Sequence, residues 1–216
     1  EGHRHHIVGR ERGYHGMNIG GISVGGMVAN RKTFSSILMP NKHHLRHTHL
    51  AENTFVKGEP ETGAYLADDL ERIAGHIGGE NIAACIVEPV AGSTGTLVPP
   101  KGYLKRLREI CNQYKIILIF DECTSGYREN MGGIHLKYKI NPDMAIFGKS
   151  LGSGYAINAI IGKKHIMKKA ENTFVSSTFW GERIGYTAAL SSIKEFKRLN
   201  VFKKIENNGK IIKIEN

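Results

Sequence analysis

Lys149 and Asp121 are the residues of this chain whose types and positions most readily do chemistry. Lys149 follows an apolar run, Met144-Ala145-Ile146-Phe147-Gly148, and precedes the glycine-rich Ser150-Leu151-Gly152-Ser153-Gly154. Asp121-Glu122 closes a second apolar run, Ile116-Ile117-Leu118-Ile119-Phe120. An amine and a carboxylate, each ending a hydrophobic strand, match the two needs of pyridoxal phosphate: an amine for its aldehyde and an anion for its ring nitrogen. Plainer readings stand beside this one. Lys149 can be one of many surface lysines, although a surface side chain is less expected between an apolar strand and Gly152/Gly154. Asp121, costly if left unpaired after five apolar residues, can equally cap a helix or pair with Arg128.

Three further groups could serve the same site. Glu88, at a strand end before Pro89, can act directly or simply fix a loop by accepting backbone N–H groups. Tyr14-His15-Gly16 sets an aromatic ring beside a glycine that permits close approach, for stacking on a planar ligand or for ordinary packing. Ser176-Ser177-Thr178 supplies hydroxyls to a phosphate or to the start of the helix near Glu182. His43, His44, His47 and His49 lack the acidic or cysteine partners of a zinc site, and no metal is expected.

The elements that must position these residues alternate. A helix is expected from Glu61, with Leu66, Leu70, Ile73 and Ile77 on one face and Gly78-Gly79 as its stop. Ile82–Val87 reads as a buried strand, and Pro99-Pro100 opens a helix striped by Tyr103, Leu104, Leu107, Ile110, Cys111 and Tyr114. Strands at Ile116–Phe120 and Met144–Phe147 follow, the second preceded by a short helical piece at Ile134–Tyr138. Ala159–Ile161 is a further strand, and a helix runs from about Glu182 to Arg198. The segment up to Arg31 reads as glycine-rich loops, with a strand approach at His6–Gly9, and 41–57 as an irregular histidine-rich stretch. Continuous apolar strands separated by helices predict an α/β fold with a mainly parallel, buried sheet. In such sheets chemistry collects at the carboxyl ends of the strands, where Glu88, Asp121 and Lys149 all fall.

At 216 residues the chain is long enough for a substantial core. Its net charge of +10 is spread along the sequence without a nucleic-acid-binding signature, and the Lys-rich stretch 194–213 reads as a solvated helical face. No apolar run reaches membrane-spanning length, so neither nucleic acid nor membrane is an expected partner. Three cysteines, Cys85, Cys111 and Cys123, lie in apolar segments as reduced thiols would, which points to the cytoplasm.

Taken in order, these motifs resemble the class III pyridoxal-phosphate-dependent aminotransferases. The segments that carry the resemblance are Gly9-Arg10-Glu11-Arg12-Gly13-Tyr14-His15-Gly16, the run from Ile86 to Gly95, Leu118-Ile119-Phe120-Asp121-Glu122, the run from Pro142 to Lys149, and Ser176-Ser177-Thr178-Phe179-Trp180. The resemblance implies the large domain of a fold type I transferase, a mainly parallel sheet flanked by helices. It implies Lys149 and Glu88 as catalytic residues: Lys149 as the Schiff-base lysine and proton shuttle, Glu88 as organiser of the site. It implies Asp121, Tyr14, His15, Lys149 and Thr178 as the cofactor-binding set, with Asp121 on the pyridine nitrogen, Tyr14 stacked on the ring and Thr178 on the phosphate of a neighbouring subunit. The expected reaction moves an amino group from an amine or ω-amino acid to a keto acid or aldehyde such as pyruvate, in a homodimer with its site at the interface.

Up to Glu122 the chain is most similar to ω-amino acid (β-alanine):pyruvate transaminases. From Cys123-Thr124-Ser125-Gly126-Tyr127-Arg128 onward it is more similar to glutamate-1-semialdehyde aminomutases, which leaves an aminomutase as the alternative. The family's upstream Gly-Ser phosphate loop and its C-terminal small domain have no counterpart here. Residues 1–198 are therefore expected to be a cofactor-binding domain incomplete at its N-terminus, and 199–216 the start of a truncated C-terminal segment. A fragment inactive without a complementary chain is the second alternative.

Overall fold

A computed structural model describes residues 3–214, which pack as two compact units. The first runs to Asp121 and takes in Ile140–Pro142; the second comprises Glu122–Lys139 and the chain from Asp143 onward.

The first unit is a series of strand–helix–strand crossovers: β1 (His6–Arg10), α1 (Ile19–Val24), α2 (Val28–Thr33), β2 (Lys42–Leu45), α3 (Asp69–Ile77), β3 (Ile82–Val87), α4 (Tyr103–Tyr114) and β4 (Ile117–Asp121). Its strands pair in parallel in the order β2-β1-β3-β4. Parallel pairing forces each connection to cross over, and the intervening helices do so. Ile82, Cys85, Val87, Leu118 and Phe120 are fully buried, which explains why β3 and β4 read as unbroken apolar runs.

The helix expected from Glu61 begins at Asp69, after a 3-10 turn at Ala64–Asp68 that holds Leu66; Ile77 and Tyr114 are only half-buried, and the other positions of the two stripes are buried. On α3 these are Leu70, Ile73 and Ala74, and the helix stops at Gly78, whose φ of +81° only glycine adopts without strain. On α4 they are Tyr103, Leu104, Leu107, Ile110 and Cys111. Each large side chain so buried contributes about 1.5–3 kcal/mol, and Leu107→Ala would cost about 2–5 kcal/mol with its cavity.

Residues 41–57 are not wholly irregular. Lys42–Leu45 forms β2, with His43 opposite Val8 and His44 opposite Gly9. Histidine is a poor strand signal, but β2 is the end strand of this unit's ladder and buries only Leu45. The open edge of β1 supplies the backbone partners that local preference does not. The glycine-rich opening likewise holds β1 and two six-residue helices.

Because β1 pairs with β2 on one side and β3 on the other, the connections leaving β1 and β3 diverge at their carboxyl ends. That divergence is where α/β sheets form their clefts. Tyr14 and His15 follow β1, Glu88 follows β3, and Asp121 is the last residue of β4.

The second unit contains α5 (His135–Tyr138), β5 (Met144–Phe147), β6 (Ala159–Gly162), α6 (Lys164–Met167), α7 (Arg183–Leu199) and α8 (Val201–Ile214). β5 and β6 are antiparallel, with Phe147 opposite Ala159. Ala145, Phe147 and Leu151 form its buried centre, wrapped by Tyr127, Ile157, Ala189 and Ile193. This core holds β5 so that its end delivers Gly148 and Lys149. The cap of α7 is Glu182, whose carboxylate accepts from the Ile184 and Gly185 amides. Ser176, Ser177 and Thr178 do not cap it. Among the described residues no helix is long and apolar enough to cross a membrane.

Candidate functional site

Asp121 is 8% exposed, and its Oδ2 accepts a 2.9 Å hydrogen bond from His15 Nδ1. The expected alternative partner, Arg128, instead donates from Nε to the Thr124 carbonyl at 3.2 Å. With Nδ1 donating, the lone pair of a neutral His15 ring lies on Nε2, which is buried and has no hydrogen-bond partner. A buried carboxylate oriented by an enclosed imidazole is a fixed anionic acceptor, the group a protonated pyridine nitrogen requires.

Glu88 is 3% exposed and both of its oxygens are engaged by backbone. Oε1 accepts from the Tyr14 amide and Oε2 from the Gly92 amide, each at 2.9 Å. Its carbonyl accepts from Arg10 Nη2 at 2.8 Å. Arg10 is itself buried, and its guanidinium lies 5.8 Å from the centre of the Tyr103 ring. Burial pushes the Tyr103 phenol up to about 12. A support therefore runs from α4 through the end of β1 to Glu88, and from Glu88 to the backbone of half-buried Tyr14. Of the two roles open to Glu88, this geometry is that of a loop anchor.

In the second unit Lys149 follows Gly148, where a side chain would collide with Asn158 and Cys123. Its backbone is left-handed, at φ +46°, a conformation that costs a side-chain-bearing residue about 1–2 kcal/mol. Lys149 is exposed rather than enclosed, and Nζ donates to Thr124 Oγ1 at 2.6 Å. The loop carrying Thr124 is pinned by buried Glu122. Its Oε2 accepts from Ser125 Oγ at 2.6 Å and the Ile134 amide at 2.9 Å. Its Oε1 accepts from the His135 amide at 3.0 Å and His135 Nδ1 at 2.8 Å. Burial alone would raise the Glu122 carboxyl, but the bonds from His135, Ser125 and the two amides outweigh it and hold it below the usual range.

Thus Tyr14, His15, Glu88 and Asp121 gather in the first unit. Lys149 belongs to the second, and Thr178 lies there in an exposed turn. Thr124, Arg10 and the anchoring role of Glu122 were not read from sequence. A signal existed for Glu122, a second carboxylate directly behind an apolar strand with Ser125 three residues on. None existed for Thr124, because its partner is 25 positions away.

The first unit ends in an anchored aspartate, and the next strand in sequence presents a lysine at its end. The chain belongs to the class III aminotransferases, whose family model matches residues 1–215. It is 53% identical over 153 residues to an ω-aminotransferase of Caulobacter vibrioides, covering 70% of this chain and 35% of that protein. It is 44% identical over 170 residues to an ω-amino acid–pyruvate aminotransferase of Pseudomonas putida, covering 77% and 37%. A glutamate-1-semialdehyde 2,1-aminomutase of Citrifermentans bemidjiense matches at 38% over 135 residues, covering 61% and 32%. The ω-transaminase of Pseudomonas jessenii in complex with PMP superposes with a TM-score of 0.81 at 26% identity, over 92% of this chain and 46% of that one. The chain spans about a third of the length of these curated relatives, and its fold is that of the fold type I transaminases.

Proposed function

We propose that this chain forms the pyridoxal-phosphate-handling part of a transaminase that moves an amino group from an amine or ω-amino acid to a keto acid or aldehyde such as pyruvate. The observation that carries this reading is the buried Asp121–His15 pair closing β4. The residues fit the cofactor: an oriented carboxylate for its ring nitrogen, an accessible amine for its aldehyde and an aromatic side chain for its face.

When bound, pyridoxal phosphate supplies an electrophilic aldehyde and a ring that draws electrons from the substrate. Lys149 Nζ would be the nucleophile toward that aldehyde, and would then carry the proton from the substrate carbon that bears the amine to the cofactor's aldehyde carbon. Between these roles it rests on the Thr124 hydroxyl, a neutral partner that it leaves at a cost of about 0.5–1.5 kcal/mol. Asp121 would accept the ring N–H, with His15 keeping the carboxylate from rotating away. Tyr14 would lie against the ring, with its loop set by Glu88. Thr178 offers its hydroxyl to the phosphate of a partner subunit in a homodimer, a reading supported by the exposure of Phe174, Phe179 and Trp180 around it. The free thiols of Cys85 and Cys111 support a cytoplasmic setting. The ω-aminotransferases match at higher identity than the aminomutase, which favours transfer between two molecules.

The test is direct. The chain is incubated with pyridoxal phosphate, reduced with borohydride and digested, and the modified peptide is located by mass spectrometry. Labelling is expected on Lys149; equal labelling of many lysines would sink the assignment. Amino transfer from β-alanine to pyruvate then tests the reaction.

A further inference from the structure

We infer that the first unit carries a separate binding site for a small organic phosphate, formed where the loop after β1 meets α2. Arg12, Arg31 and Lys32 line one cavity of about 860 Å³ there. Glu11 is the single carboxylate among its lining residues, and that group accepts from the His47 amide at 3.2 Å. The side chains of Arg12 and Lys32 form no hydrogen bond or ion pair among the described residues. Arg31 donates from Nη1 to the Ser23 and Gly25 carbonyls, at 3.2 and 3.3 Å, and to no carboxylate. Burial, and then Arg31 and Arg12 beside them, hold His44 and His47 below the ordinary histidine range. Both rings are therefore neutral near pH 7, and the cavity keeps a surplus of about two positive charges.

The wall that presents these cations is rigid. The Gly26 amide donates to the Gly13 carbonyl at 2.8 Å, and the Gly26 carbonyl accepts from the Arg12 amide at 3.0 Å. A side chain at Gly26 would collide with the backbone of Arg10, Glu11 and Arg12. The Arg31 head thus binds the carbonyl next to the one that holds Arg12. Arg12 also keeps a left-handed backbone, at φ +61°, which glycine takes without strain; such outliers collect where a side chain has to be aimed.

The volume and the charge point to the same occupant. The cavity has the size of a small-molecule site, about 300–1,000 Å³, and a bare inorganic ion would leave most of it empty. A phosphate monoester carries a charge of about −1.5 to −2 at pH 7, which meets the surplus, and a monocarboxylate carries half of it. Arginine forks match phosphate oxygens two at a time, and Ser35 adds a hydroxyl donor. Val28 and Leu38 give the organic part an apolar wall. Tyr14 and His15 follow Arg12 in the same loop, so an occupant braces the segment that carries them.

The cofactor-free chain is titrated by calorimetry with glycerol 3-phosphate, with succinate as a dianion without phosphorus and glycerol as the uncharged organic part. Wild type is expected to bind glycerol 3-phosphate about tenfold or more tightly than succinate, and glycerol not at all. Arg12→Gln and Arg31→Gln should each weaken binding by about tenfold or more, and Lys32→Gln by about threefold. Arg31→Gln also frees two carbonyls, whereas Arg12→Gln removes no hydrogen bond of the protein, so Arg12→Gln is the deciding variant. Arg128→Gln, in the second unit, should bind as wild type does. Pyridoxal phosphate is itself a phosphate ester, so the titration is repeated on chain labelled at Lys149 by borohydride reduction, where undiminished binding is expected. Absence of binding by wild type, equal binding by Arg12→Gln, or succinate bound as tightly as glycerol 3-phosphate overturns the proposal. So does binding lost on the labelled chain, which would put the probe in the cofactor's own phosphate site. No residue of the proposed amino transfer lines this cavity, so the cofactor-free titration decides the proposal whether or not Lys149 is labelled.

Discussion

The Asp121 carboxylate and the His15 ring are joined by a 2.9 Å hydrogen bond across 106 positions of sequence. The bond ties the end of β4 to the loop after β1, both within the first unit. It turns a strand-end aspartate into an acceptor with one orientation.

Removing the charge at Asp121 should therefore hurt chemistry more than folding. Asp121→Asn is expected to lower single-turnover amino transfer by about 10²–10⁴-fold. His15→Ala should fall between it and wild type, since it frees the carboxylate without removing it. Stopped-flow absorbance of the loaded chain mixed with β-alanine reads both. Wild-type rates in Asp121→Asn would remove Asp121 from the site.

Glu88 presents both oxygens to backbone amides, and glutamine can satisfy only one of them. Glu88→Gln faces an amide N–H with its own NH₂ group and should cost about 1–3 kcal/mol of stability. Loosening the loop of Tyr14 should also weaken cofactor retention. Urea unfolding with and without pyridoxal phosphate checks both effects. A variant as stable as wild type with only kcat reduced would show that Glu88 acts on the substrate directly.

Glu122 predicts a pH dependence. Its carboxyl is held below the ordinary value of 4.5, so its stabilisation is present above that pH and is lost as pH falls through the lower folded value. Glu122→Gln should cost about 1–3 kcal/mol near neutrality, because the new NH₂ group faces backbone donors that the carboxylate accepted from. The gap between variant and wild type should narrow in acid. Urea midpoints at pH 7 and in steps below 4.5 measure it, and a gap that does not narrow would contradict the assignment.

Tyr103 titrates at the alkaline end. Its phenol is raised from 10.0 to about 12, so its contribution to stability is complete below 10 and fades as pH rises toward 12. Difference absorbance of tyrosinate in wild type against Tyr103→Phe should show this phenol among the last to ionise. Appearance of its tyrosinate signal near pH 10 would mean that the support beneath Arg10 is open to water.

Most regular elements were legible because periodicity and burial agree in them. β3 and β5 match their predicted bounds, and α3 and α4 bury most of the stripes their spacing marks, Ile77 and Tyr114 excepted. These signals are local, and each can be read within one window of sequence. β2 was hidden for the opposite reason. Lys42-His43-His44-Leu45 has no strand signal of its own and is extended only because β1 offers it a ladder.

The site divides along the same line. Residue type and strand-end position alone singled out Lys149, Asp121 and Glu88, because a charged group terminating an apolar run must have a partner. Which partner it takes is a matter of distant contacts. Folding gave Asp121 to His15 rather than Arg128, bound Glu88 to two amides, and set the exposed Lys149 amine on Thr124. Those partners are fixed by which strands lie side by side and where their connections turn, and no spacing along the chain encodes that.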